Sequence, residues 1–213
     1  MHTFKTLFSL TIATGIGLGA ASAQDTPDFG QIMGAMMGAL AGADQTDESG
    51  EPAKTVMPID FRKLREHLPA ELPGLPRTSA SGERSSAMGI HVSTAEGVYS
   101  DGEGASITIQ LSDMGSMGGL LAMAQFGMAM GEFDRETDTG FERTTRWRGH
   151  RAVEEFDTRH RTGKITIMAD AVVMNIEGQG VDFAQLEEAR DTVAFDDLMA
   201  AVKEHKEGEA EAE

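Results

Sequence analysis

Methionine thioethers, a local run of arginines and abundant carboxylates are the side chains in this sequence that could do chemistry. The thioethers cluster as Met33-x-x-Met36, Met114-x-x-Met117 and Met128-x-Met130. Soft sulfur of this kind suits Cu(I), and a copper carrier is one reading of the pattern. No histidine lies near these runs, and methionine is also an adaptable filler of cores and interfaces. The plainer reading is packing, so no metal and no cofactor is assigned.

Arg143, Arg146, Arg148, Arg151, Arg159, Arg161 and Lys164 crowd one stretch of a chain whose formal charge is −17. Arg146, Arg148, Arg159 and Arg161 form the expected anion-binding set. Cross-strand pairing with Glu142, Glu154, Glu155 and Asp157 is the competing use. His150 and His160 lie in the same stretch, but a zinc site needs a third ligand that the sequence does not point to. The Gly-x-Ser-x-Gly elbow, the His-Glu-x-x-His pair and the phosphate loop are all absent. Carboxylates are too many for any pair to stand out as general acid and base. No catalytic residue is named.

The strongest candidate is apolar. Met114 to Gly131 carries no charge. Its periodicity predicts a helix from Ser116 to Met130, with Met117, Leu120, Leu121, Ala124 and Met128 in one stripe. Met123, Phe126 and Met130 fall on roughly the opposite side. A helix apolar all round is either buried on two sides or presents a patch. The second case makes Met123, Phe126 and Met130 a binding face for a protein or a small apolar ligand. Its glycines, Ser116 and Gln125 make it a poor membrane span. The N-terminal region echoes this pattern. Gly30, Gly34, Gly38 and Gly42 recur every four residues, with Ile32, Met33, Met36, Met37 and Leu40 between them. On a helix these glycines would form a smooth ridge for close approach. Each interior glycine costs about 1 kcal/mol relative to alanine, so the segment is read as a flexible arm or a docking helix formed only against something else.

Several elements must position these groups. Asp60 is a helix cap for Phe61 to Leu68, which Pro69 ends. Pro73-Gly74-Leu75-Pro76 turns the chain. Strands are expected from Met88 to Tyr99 and from Ser106 to Leu111, joined by Asp101-Gly102-Glu103-Gly104. More strands are expected at Phe141–Arg148, Arg151–Thr158, Lys164–Ala169 and Val172–Glu177, punctuated by Gly149-His150 and Thr162-Gly163. Ile165, Ile167 and Ala169, then Val172, Met174 and Ile176, mark the apolar faces of the last two. Asp182 caps a helix carrying Phe183, Leu186 and Ala189. A final helix carries Phe195, Leu198, Met199 and Val202. Short connections force antiparallel pairing. The expected class is α+β: an antiparallel sheet of about six strands packed with helices, preceded by a signal peptide and a mobile arm.

The leader reads as an export signal. A short basic start at Lys5 precedes an uncharged apolar run from Thr6 to Ala20, and Ala21-Ser22-Ala23 gives the small-residue site for cleavage before Gln24. The expected location is the bacterial periplasm or the outside of the cell. The expected divisions are 1–23 signal peptide, 24–56 flexible arm, 57–203 α+β domain and 204–213 acidic tail. The chain has no cysteine, which excludes disulfides, a lipid-bearing thiol and a thiol nucleophile. Its negative charge argues against nucleic acid and anionic lipid as partners. No stable transmembrane span is expected once the signal is removed.

The run Leu68-Pro69-Ala70-Glu71-Leu72-Pro73-Gly74-Leu75-Pro76-Arg77, then Ser81-Gly82-Glu83, then Met174 to Asp182, resembles an uncharacterised family of exported bacterial proteins. The resemblance covers about Met57 to Ala200. It rests on turns and a helix cap and implies no activity or site. The expected strand order is also similar to the Mog1/PsbP-like fold, a likeness of shape that carries no function. Together these readings point to an exported, non-enzymatic protein that acts by binding. A periplasmic enzyme or copper carrier with a site scattered in sequence is the alternative.

Overall fold

A computed structural model describes residues 56–87, 90–115 and 133–211. The leader, the glycine-ridged arm and the expected helix from Ser116 to Met130 lie outside these residues. The described chain begins with helix α1 (Phe61–Glu66), whose N-cap Asp60 accepts a hydrogen bond from the Arg62 backbone. Strands β1 (Glu71–Leu72), β2 (Leu75–Ala87), β3 (Ile90–Ser100) and β4 (Ser106–Asp113) follow as one meander. After residues 116–132 come β5 (Asp134–Thr137), β6 (Gly140–Trp147), β7 (His150–Asp157), β8 (Thr162–Ala169) and β9 (Val172–Gln179). Helices α2 (Phe183–Thr192) and α3 (Phe195–Glu211) close the order.

All neighbouring strands pair antiparallel, in the order β1-β2-β3-β4-β9-β8-β7-β6-β5. The expected α+β domain with about six strands is therefore corrected. The described residues are mostly one nine-stranded antiparallel sheet with three helices. The strands absent from the expectation are β1, β2 and β5. Each lies at or near a sheet edge, where no apolar alternation is needed, so the period-two signal is missing. One turn also shifts. The β7–β8 turn spans residues 158–161, and Gly163 lies inside β8.

The core occupies one face. Register places Ile107, Ile109 and Leu111 of β4 beside Gly178, Ile176 and Met174 of β9, then beside Gly163, Ile165 and Ile167 of β8. These apolar side chains are fully buried with Leu186 of α2 and Phe195, Leu198 and Val202 of α3. Close seating of α2 needs two glycines. A Cβ on Gly178 would lie 2.5 Å from Val181 and 2.6 Å from Leu186. A Cβ on Gly163 would lie 2.5 Å from Phe156 and 2.8 Å from Leu186. α2 starts in a capping box, with the Asp182 carboxylate on the Gln185 backbone and the Gln185 side chain on the Asp182 backbone. On β3 the core-facing residues are Ser93, Ala95, Gly97 and Tyr99, and the Tyr99 hydroxyl donates to the Pro69 carbonyl at 2.8 Å. The opposite face is mainly polar, with Val92, Ser112 and Val173 buried toward one end. It carries Thr108, Gln110, Asn175 and Thr166, and the Thr166 hydroxyl donates to Asn175 Oδ1 at 2.8 Å.

Candidate functional site

β4 ends in a buried carboxylate. Alternation from Ile107, Ile109 and Leu111 puts Asp113 on the core face, where it has no exposed surface. A carboxylate in that position must have its oxygens satisfied. Asp113 Oδ2 accepts from the Ile59 backbone at 2.9 Å, and Oδ1 accepts from the Gly115 backbone at 3.0 Å. Met114 N–H is bonded to the Ala171 carbonyl at 3.0 Å. Gly115 is left-handed, at φ +58°, and a Cβ there would lie 2.3 Å from the Val56 carbonyl oxygen. The strap from Val56 to Ile59 therefore runs against residues 113–115. It is tied at two further points. His205 Nε2 of α3 lies 3.1 Å from the Met57 carbonyl, and Arg84 of β2 donates to the Pro58 carbonyl at 3.4 Å. One carboxylate thus joins the end of the N-terminal region to the start of the uncharged stretch.

A second constellation binds α2 and α3 to β6 and β7. Glu154 of β7 is buried, with Arg143 Nε at 2.7 Å and Arg190 Nη1 at 3.7 Å. Arg190 continues to Asp191 at 2.9 Å, and the Trp147 indole N–H donates to Asp191 at 3.0 Å. Those bonds, Arg190 first, hold the Asp191 carboxyl below its ordinary range. Arg148 pairs with Asp196 at 2.5 Å and lies over the Trp147 ring, which meets Phe195 edge to face. Beside this cluster α3 borders a cavity of about 680 Å³. Phe195, Met199 and Val202 line it, with His150, Lys203 and Lys206. The arrangement is an apolar recess with charges around it, suited to contact more than to proton transfer.

The polar sheet face carries a charged row. Register aligns Arg135, Glu142, Glu155, Lys164 and Glu177 across β5 to β9. Arg135 pairs with Glu142, and Lys164 pairs with Glu177 at 2.8 Å. Glu155 stands between the pairs. Burial raises its carboxyl above the ordinary range, and the neighbouring charge of Glu142 adds to the shift.

The structure does not bring the expected anion-binding arginines together. Arg146 lies on the polar face of β6, opposite Arg151. Arg148 lies in the β6–β7 turn, whereas Arg159 and Arg161 lie in the β7–β8 turn. Successive hairpins turn at opposite ends of the sheet, so the length of β7, roughly 25 Å, separates the groups. His150 and His160 are divided in the same way. His150 packs on Phe195, and His160 Nδ1 lies 2.9 Å from Asp157. Among the described residues no three His, Cys, Asp or Glu side chains gather as a metal site. Met123, Phe126 and Met130 lie outside the described residues, as do the methionine runs except Met114, which is buried. Glu154 is one of the expected cross-strand partners of the arginines and pairs with Arg143, whereas Asp113 and Arg190 escaped the sequence reading. Their partners are a backbone N–H 54 residues away or side chains on other elements, so spacing carries no signal for them.

Among the described residues no helix is long and apolar enough to cross a membrane. Comparison of the chain with protein-family models, with curated proteins and with solved structures found no match.

Proposed function

We propose that the chain is an exported binding protein that engages a protein or small apolar ligand through Met123, Phe126 and Met130. The observation that carries this reading is the Asp113 junction. There the sheet fixes the root of the uncharged stretch, and the strap that ends the N-terminal arm lies in contact with it. The stretch leaves from the central strand β4 and returns to the edge strand β5. Crossing the intervening strands takes about 24 Å at roughly 4.8 Å per strand. Both ends are held, since Thr144 N–H donates to the Phe133 carbonyl at 2.8 Å. A connecting segment held at both ends on a sheet is a common way to present a binding surface.

Export is supported by the tripartite leader, and sequencing of secreted material should begin at Gln24. The binding face is tested by Phe126→Ser. The variant should lose affinity for an uncharged apolar dye, phenylnaphthylamine, while its urea midpoint stays near that of the parent. A stability loss of about 3 kcal/mol or more would make Phe126 a core residue and remove the proposal.

A further inference from the structure

Among the described residues, no strand pairs with the outer edge of β2 beyond Pro76. β2 runs for 13 residues, yet β1 pairs with it only at Leu75 and Pro76. From Ser79 to Ser86 no described strand lies on its outer side, and every residue there except Gly82 is exposed. Sheets usually blunt such an edge with charge, proline or short length, because its free N–H and C=O groups pair with other strands. The opposite edge follows that rule. β5 has four residues, all exposed, and three of them are Asp134, Arg135 and Glu136. β2 does not. It reads Ser-Ala-Ser-Gly-Glu-Arg-Ser-Ser, with one adjacent pair of opposite charges and otherwise small side chains.

We infer that this edge pairs antiparallel with the same edge of a second copy, across a two-fold axis at Gly82. An axis perpendicular to the sheet keeps both helix-bearing faces on one side. Opposed residues must then share parity, so the axis passes through a residue and not between two. An axis at Glu83 would set Glu83 against its own copy, with like charges directly opposite. At Gly82, Glu83 faces Ser81 of the second copy, Arg84 faces Ala80, and Ser85 faces Ser79. Each charge meets a small neutral side chain and the backbone groups pair from Ser79 to Ser85. The strand is its own complement, as an isologous contact requires. This inference is independent of the proposed apolar binding face.

Sedimentation equilibrium of the purified chain over a concentration series tests the inference, together with Ser81→Glu and Ser81→Lys. The parent should sediment as a dimer. Ser81→Glu sets two carboxylates opposite each other twice across the axis, and should raise the dissociation constant about tenfold. Ser81→Lys sets an ammonium opposite Glu83, and should not raise it. Circular dichroism melts confirm that each variant folds, and amide exchange of the parent should show protection from Ser79 to Ser85 that grows with concentration. A monomeric parent overturns the inference, whether the edge amides are free or covered by another segment of the same chain. So does a dimer that responds equally to both charge signs.

Discussion

The backbone N–H of Ile59 donates to Asp113 Oδ2 at 2.9 Å, across 54 residues of sequence. The same carboxylate holds Gly115 at 3.0 Å. Removing it leaves two buried donors without a partner, each worth about 1–3 kcal/mol. Asp113→Ala should therefore cost about 2–6 kcal/mol in urea unfolding. Asp113→Asn, which keeps one acceptor oxygen, should cost less. A change within about 0.5 kcal/mol for the alanine variant would show that the junction does not hold the strap.

Glu154 joins β6, β7 and α2 through Arg143 and Arg190. Glu154→Ala strands part of the positive charge against the core, and should cost about 3 kcal/mol. Replacing Glu154 together with its more buried partner, Glu154→Leu with Arg190→Met, should recover part of that loss, because the remaining Arg143 is half-exposed. If the double variant is as unstable as the sum of the single ones, the pair is not a unit.

Two glycines should respond in opposite directions to alanine. Gly178 faces α2, where a Cβ would meet Val181 and Leu186 inside normal contact, so Gly178→Ala should destabilise by about 1–3 kcal/mol. Gly208 of α3 has open space around it and an ordinary helical backbone. Gly208→Ala should stabilise by about 0.5 kcal/mol. Thermal melts of the two variants report both signs.

The charged row gives a pH dependence of defined sign. Burial, then the charge of Glu142, raises the Glu155 carboxyl. Between the ordinary and the raised value, the folded chain keeps a proton that the unfolded chain has released. The contribution of Glu155 is therefore fullest below the ordinary carboxylate range and declines as pH rises through the raised value. Asp60, Asp101, Asp157 and Asp191 act in reverse. Their carboxyls are lowered chiefly by hydrogen bonds from the Arg62 backbone, the Glu103 backbone, the His160 side chain and the Arg190 side chain. Their contribution is present above the ordinary range and is lost as pH falls through the lowered values. Glu155→Gln should raise stability at neutral pH and leave the acid unfolding limb in place. An unchanged profile at neutral pH would show that Glu155 carries no penalty.

The legible parts of this fold are the ones that bury one face and expose the other. β4, β8 and β9 announce themselves through Ile107, Ile109 and Leu111, through Ile165, Ile167 and Ala169, and through Val172, Met174 and Ile176. Asp60 and Asp182 mark helix starts because a cap acts over two or three residues. β2 and β5 are illegible because exposed edge strands need no apolar period, and Ser79 to Ser86 reads as loop. The arginine cluster misleads for a different reason. Nearness in sequence across two consecutive hairpins becomes distance in space, which sends Arg148 and Arg159 to opposite ends of β7. Asp113 is invisible because its partners are backbone groups, which every residue type supplies.

We propose that Met123, Phe126 and Met130 form a binding face and not a core. Fluorescence titration of phenylnaphthylamine into the purified chain, and into the variant with all three residues changed to Ser, tests it most directly. Saturable binding by the parent, lost in the variant at an unchanged urea midpoint, is the predicted result. Equal binding by both chains, or a variant that no longer unfolds cooperatively, would contradict the claim.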